Sequence, residues 1–91
     1  MLVYRYEHPD GGGPWFYKNG MVRYPLPDEH LYLDSQEKYL YGCNSLESLH
    51  KYFATQKVDT KNCTIEIYDI PERYIIKLGE YQVKFLKKYI E

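Results

Sequence analysis

The chain has 91 residues, room for one domain whose core is modest. Its formal net charge is −1, so the overall basic excess of a direct, non-specific nucleic-acid binder is missing. No apolar run approaches the roughly 20 residues of a membrane helix, and the N-terminus enters a strand pattern without an apolar signal region, so a cytoplasmic protein with no membrane partner is expected.

Leu2 to Glu7 alternates Leu2, Tyr4 and Tyr6 against Val3, Arg5 and Glu7, the period of a half-buried strand. His8 to Pro14 is a turn or loop. Its run Gly11-Gly12-Gly13 removes Cβ at successive positions and lets the backbone approach another surface closely. The aromatic run Trp15-Phe16-Tyr17 stops at Lys18, and the turn pair Asn19-Gly20 makes 15–24 a small hairpin, with a helical turn around Trp15 as the alternative. Pro25 and Pro27 keep the next stretch irregular. Leu31 to Tyr41 mixes leucines and tyrosines with Asp34, Ser35, Gln36, Glu37 and Lys38, and reads as a long connection with a short helical turn.

Gly42-Cys43-Asn44 introduces the clearest helix. Asn44 suits the N-cap and Glu47 the N3 position of a capping box, and Leu46, Leu49 and Phe53 form an apolar stripe flanked by Tyr52. The spacing predicts a helix from Ser45 to Ala54. Thr64 to Ile70 is a strand closed by Pro71. Arg73 to Leu78 and Tyr81 to Leu86 read as two more strands joined around Gly79-Glu80, with Tyr81, Val83 and Phe85 on one face. The expected fold is α+β: a single small domain over 1–91, with a mostly antiparallel sheet of four to five strands and one main helix packed on one face.

Residues that carry chemistry are sparse. His8, His30 and His50 have no His or Cys partner at metal-ligand spacing, so no metal site is expected. Cys43 and Cys63 are too few for a disulfide framework, and Cys43 reads as a small buried hydrophobe. The glycine run lacks the Walker lysine and the spacing of a dinucleotide fingerprint, and no catalytic residue or cofactor is assigned. Arg5 is the exception. An arginine in a strand beside a glycine loop can clamp a phosphate or carboxylate bidentately, or pair with Glu7.

Twelve tyrosines against three Phe and one Trp supply rings with polar tips, which suit either an interface or a sheet with one exposed face. Asp28, Glu29, Asp34 and Glu37 make the middle of the chain acidic, while Lys84, Lys87 and Lys88 make its end basic; both can be solvated surface. As a protein-binding surface, the set is Arg5, Trp15, Tyr17, Asp28, Glu29, Tyr32 and Asp34. Its aromatic and arginine side chains would anchor, and its carboxylates would steer toward a basic partner. As a ligand site, the amides of Gly11, Gly12 and Gly13 together with Arg5 would hold the phosphates of a nucleotide, while Trp15 or a tyrosine stacks on its base. Exposed sheet edges also allow a homodimer.

Several of these residues carry a likeness. Val3-Tyr4-Arg5 with Glu7, Gly13-Pro14, Gly42 with Ser45-Leu46-Glu47 and Leu49, Tyr52-Phe53, Ile67-Tyr68, and Gln82-Val83 with Phe85 together resemble small proteins encoded by phages and prophages, over most of the chain. The resemblance implies a protein made in an infected bacterial cell. Small phage proteins of this kind are often dispensable accessory factors, and many of those with determined structures inhibit host defence, including CRISPR nucleases and nucleotide-signalling systems. It thus implies a non-enzymatic inhibitor acting on a bacterial host protein, of which a nucleic-acid-binding defence protein is the sharper case, or else a sponge for a nucleotide signal. The element order is also similar to the ADP-ribosyltransferase fold, where an arginine or histidine on the first strand, a serine on a middle strand and a late glutamate handle NAD. Arg5 matches the first position, but Ser45 opens a helix and Lys84 stands where the glutamate belongs. Lysine cannot stabilise an oxocarbenium-like transition state as a carboxylate does, so that likeness implies a catalytically dead relative that binds a nucleotide or a protein, with an ADP-ribosyltransferase-like enzyme as the last alternative.

Overall fold

Five strands form one antiparallel sheet in the computed structural model, which describes residues 1–19, 21, 23–24, 39–56 and 58–86. In chain order the elements are β1 (Leu2–Glu7), β2 (Tyr39–Cys43), α1 (Leu46–Ala54), β3 (Thr64–Asp69), a short 3-10 helix (Glu72–Tyr74), β4 (Ile76–Lys77) and β5 (Gln82–Leu86). Across the sheet the order is β3-β1-β2-β5-β4. The α+β expectation holds, with one helix against a five-stranded sheet.

The alternation in β1 has a use for both of its faces. On one side Val3 joins Ile70, Val83 and Phe85 in a cluster sealed by Leu40, Tyr68, Tyr74 and Ile75. On the other, Tyr4, Tyr6 and Ile65 pack with Cys43 of β2 under Trp15, Phe16, Leu49 and Tyr52, which the helix and the segment after β1 supply. The tyrosines here have a physical role. Tyr6 packs its ring edge-on to Phe53 at 5.0 Å and sends its hydroxyl out to His50 Nδ1 at 3.1 Å.

β1 and β3 pair along their whole length, from Leu2 with Asp69 to Glu7 with Thr64. Met1 extends the ladder, its N–H₃⁺ donating to Ile70 O at 2.8 Å and its carbonyl accepting from Ile70 N at 2.9 Å. β2 and β5 pair from Tyr39 with Leu86 to Cys43 with Gln82. By contrast β1 and β2 share a single pair, Tyr4 with Cys43. That weak seam in the middle of the sheet positions the candidate site.

Three sequence expectations change. Tyr39 to Cys43, the end of the supposed connection and the start of the helix entry, is instead strand β2. The residues before it, 31–38, lie outside the described residues. The helix begins one residue later than its capping pattern suggests. Ser45, not Asn44, is the N-cap, and its Oγ accepts from Ser48 N at 3.1 Å. Asn44 still serves the sheet, its N–H donating to Tyr81 O at 3.0 Å. Arg73 to Leu78 is mostly not strand: Glu72–Tyr74 winds into the 3-10 turn after Pro71, leaving two residues for β4. The cap correction is testable. Ser45→Ala is expected to cost about 1 kcal/mol in urea denaturation and Asn44→Ala clearly less; equal losses would return the cap to Asn44.

Candidate functional site

Arg5 is 5% exposed, the one charged side chain in the buried set among the described residues. Three neighbours explain how it is tolerated. Nε lies 3.0 Å from Glu7 Oε2, close enough for an ion pair although the N–H direction falls short of a hydrogen bond. Nη1 donates to Tyr41 O at 3.3 Å, so a side chain continues the link between β1 and β2 beyond their single ladder pair. Tyr68 donates its hydroxyl to Glu7 Oε2 in a short hydrogen bond. Arg5, Glu7 and Tyr68 meet because β1 places Arg5 and Glu7 on one face, and the register Val3 with Tyr68 puts Tyr68 on that same face. Burial pulls the Arg5 guanidinium below its ordinary value, and the charge of Glu7 opposes that pull. Burial first, and then the hydrogen bond to Glu7, push the Tyr68 phenol well above its ordinary range.

The glycine loop folds over this group, and each glycine has a separate reason. Gly11 has φ +88°, in the left-handed region, and its N–H closes a turn on His8 O at 2.8 Å. Gly12 N donates to Asp10 Oδ1 at 2.8 Å, while its carbonyl accepts from His8 N at 2.8 Å. A Cβ on Gly12 would meet Phe16 O and lie 2.7 Å from Tyr17 C. A Cβ on Gly13 would sit 3.1 Å from Arg5 Nη2. The close approach expected of the run is thus made to the protein's own backbone and to Arg5. The amides of Gly11 and Gly12 are engaged inside the loop, which leaves Arg5 as the principal donor.

Between this loop, the splayed strands β1 and β2, and α1 lies a cavity of about 490 Å³, within the range of small-molecule sites. Its polar end is Arg5, Glu7 and Tyr68. Its apolar walls include Trp15, Tyr52 and Phe53, and exposed Lys18 belongs to its lining. Trp15 is 8% exposed and packs at 5.2 Å on Phe53, so a ligand reaches it only from the cavity.

The hairpin expected over 15–24 is closed by Tyr17 N donating to Met21 O at 2.9 Å and by Arg23 N donating to Trp15 O at 2.6 Å. Arg23 braces it from the side. Its Nη2 donates to Asp10 Oδ2 at 2.8 Å, and its guanidinium lies 4.1 Å over the Tyr17 ring. Tyr17 and Met21 are exposed.

Of the residues singled out from sequence, Arg5, Gly11, Gly12, Gly13, Trp15 and Tyr17 all line the cavity. Asp28, Glu29, Tyr32 and Asp34 lie outside the described residues. Sequence reasoning did not select Tyr41, Tyr52, Phe53 or Tyr68 for the site. Tyr52 and Phe53 carried a signal as part of a helical stripe, whereas Tyr41 and Tyr68 needed the strand register.

The residues associated with transfer from NAD do not converge. Ser45 Oγ caps α1 and donates to Ser48 Oγ at 2.9 Å, and Lys84 Nζ lies 4.7 Å over the Tyr39 ring. No group of three or more metal-ligating side chains occurs among the described residues. Both cysteines are free. Burial pushes the Cys43 thiol up to about 11 and also raises Cys63, which is less buried. In native protein at pH 8, a thiol reagent is expected to modify Cys63 first and Cys43 only as the chain unfolds; equal rates would place Cys43 outside the core.

No helix among the described residues is long and apolar enough to cross a membrane. A family model described as "Bacteriophage T4 Y00F protein" matches residues 1–91. No curated protein and no solved structure matches the chain.

Proposed function

Because the chain belongs to the bacteriophage T4 Y00F protein family, we propose that it is a non-enzymatic binding protein that acts in the infected bacterium by taking up a small, planar, nucleotide-type ligand. One observation carries this reading. A nine-tenths buried arginine reaches the polar end of a cavity of about 490 Å³ walled by aromatic rings, and its one hydrogen bond among the described residues is from Nη1 to Tyr41 O. A buried guanidinium with unused donors is costly unless something accepts from it. Aromatic walls with a few convergent polar groups are the usual make-up of a small-molecule site. Withholding a nucleotide signal from a host defence system would be the use of such binding in an infected cell.

The sole tryptophan lines the cavity, so its emission reports occupancy directly. Titration with mononucleotides and cyclic nucleotides is expected to change Trp15 emission saturably and to raise Tm, since a ligand bound only by the folded state stabilises it. A full panel that moves neither signal at millimolar concentration would overturn the reading.

A second reading, inhibition of a host defence protein through a protein surface, is favoured by the hairpin. Tyr17 and Met21 stand exposed side by side on a turn braced by Arg23. Tyrosine and methionine are common interface anchors. A pull-down from infected cells is expected to retain a host protein that the double variant Tyr17→Ala/Met21→Ala loses; equal retention by both proteins would overturn it.

A further inference from the structure

Resting on the nucleotide-pocket reading, we infer that the ligand enters base first: a guanine-type ring is held by Arg5 inside the cavity, while its phosphate stays at the rim beside Lys18. This reverses the arrangement expected from sequence, in which Arg5 and the glycine amides held phosphate. The polar end of the cavity is electrically balanced. The Arg5 charge is already met by Glu7 at 3.0 Å, and Glu7 is held in turn by Tyr68. A phosphate there would bring up to two negative charges against a neutralised pair and would face the Glu7 carboxylate. The loop offers little help, because the amides of Gly11 and Gly12 are already bonded within it.

What Arg5 does offer is hydrogen-bond donors. Nη2 lies beside Gly13, where the missing Cβ leaves space, and Nη1 has, among the described residues, only the carbonyl of Tyr41. A guanidinium donates and cannot accept. It therefore pairs with a ring edge that presents two acceptors, as O6 and N7 of guanine do, and less well with adenine, whose equivalent edge pairs an acceptor with a donor. Trp15 and Phe53 wall the same cavity and provide the apolar contact that a base requires. Lys18 lines the cavity, is exposed, and forms no ion pair among the described residues. Apart from Arg5, it is the one cation among the described residues that line the cavity, and so the one placed to meet a phosphate at the mouth.

The test is titration of the full chain, followed by Trp15 emission and calorimetry, with guanosine, GMP, adenosine, AMP and inorganic pyrophosphate. Guanosine is expected to bind on its own and to exceed adenosine by roughly tenfold or more in affinity. GMP is expected to exceed guanosine, and Lys18→Gln to remove that advantage while leaving guanosine unchanged. Pyrophosphate is expected not to displace guanosine. If nucleotides bind but the nucleosides do not, if pyrophosphate displaces guanosine, or if adenosine matches guanosine, the base-first arrangement is overturned while the nucleotide pocket stands. Silence from the whole panel removes the pocket reading and this inference together.

Discussion

Arg5→Met is expected to lower the free energy of unfolding by about 3–5 kcal/mol, the cost of breaking a buried ion pair from one side. The substitution keeps an unbranched side chain in place of the arginine stem but leaves three groups behind. Glu7, whose side chain is 16% exposed, loses its cation and keeps, among the described residues, only the Tyr68 hydroxyl as a donor. The Tyr41 carbonyl loses its Nη1 partner where β1 and β2 have no further ladder pair. The glycine loop loses the group that Gly13 approaches.

A domain of this size has a total stability of about 5–15 kcal/mol, so the variant is expected to melt far below the parent or to remain partly unfolded. Adding Glu7→Gln to Arg5→Met removes the stranded charge and is expected to restore a good part of the loss. The double-mutant cycle then reads the coupling, expected at about 0.5–3 kcal/mol. A loss below about 1 kcal/mol for Arg5→Met in urea denaturation would show that Glu7 finds other compensation and that the guanidinium does not hold the seam.

Much of this architecture is legible in the chain, and particular residues show where legibility stops. β1 and β5 announce themselves by alternation, and their faces follow: Val83 and Phe85 are buried as the period requires, whereas Ile67 of β3 is exposed. β2 carries no such period. Tyr39-Leu40-Tyr41-Gly42-Cys43 is apolar throughout, because it lies between clusters on both faces of the sheet. Its Gly42, which reads as a turn residue, is required in a strand. A Cβ there would lie 2.6 Å from Val3 Cγ1 and 2.8 Å from Tyr4 O. Long-range pairing with β5 fixes that segment, and single-sequence patterning does not see it.

The candidate site divides in the same way. Arg5 beside Glu7 is a local, two-residue spacing that sequence displays. Tyr68 and Tyr41 join them only through register, 61 and 36 residues away along the chain from the groups they meet. Trp15 stands out in the sequence as the sole tryptophan beside the loop, but its burial makes it a cavity wall and not a surface anchor. The glycine run was legible as a close approach, though not what it approaches.

That last point gives the second large effect, because the three glycines should not respond alike. Gly12→Ala is expected to cost about 3 kcal/mol or more. Its new Cβ would meet backbone on every near side, with Phe16 O closest, Tyr17 C at 2.7 Å and Lys18 N at 2.8 Å. None of these is the yielding end of a flexible side chain. Relief requires the loop to open, which weakens the Gly12 bonds to Asp10 and His8 and draws Phe16 and Trp15 from the helix-side core. Gly11→Ala would make only ordinary van der Waals contact, with Lys18 Cδ at 3.6 Å, and pays only for a left-handed φ, about 1 kcal/mol. Gly13→Ala touches the guanidinium at 3.1 Å, so its effect should fall on the cavity more than on stability. Denaturant midpoints are therefore expected to rank Gly12→Ala well below the other two, with Trp15 emission shifted to the red in Gly12→Ala even before unfolding. If Gly12→Ala stays within about 0.5 kcal/mol of the parent, the loop does not fold back on its own backbone. The glycines would then be free to face a ligand, and the phosphate role given up here for Gly12 would reopen.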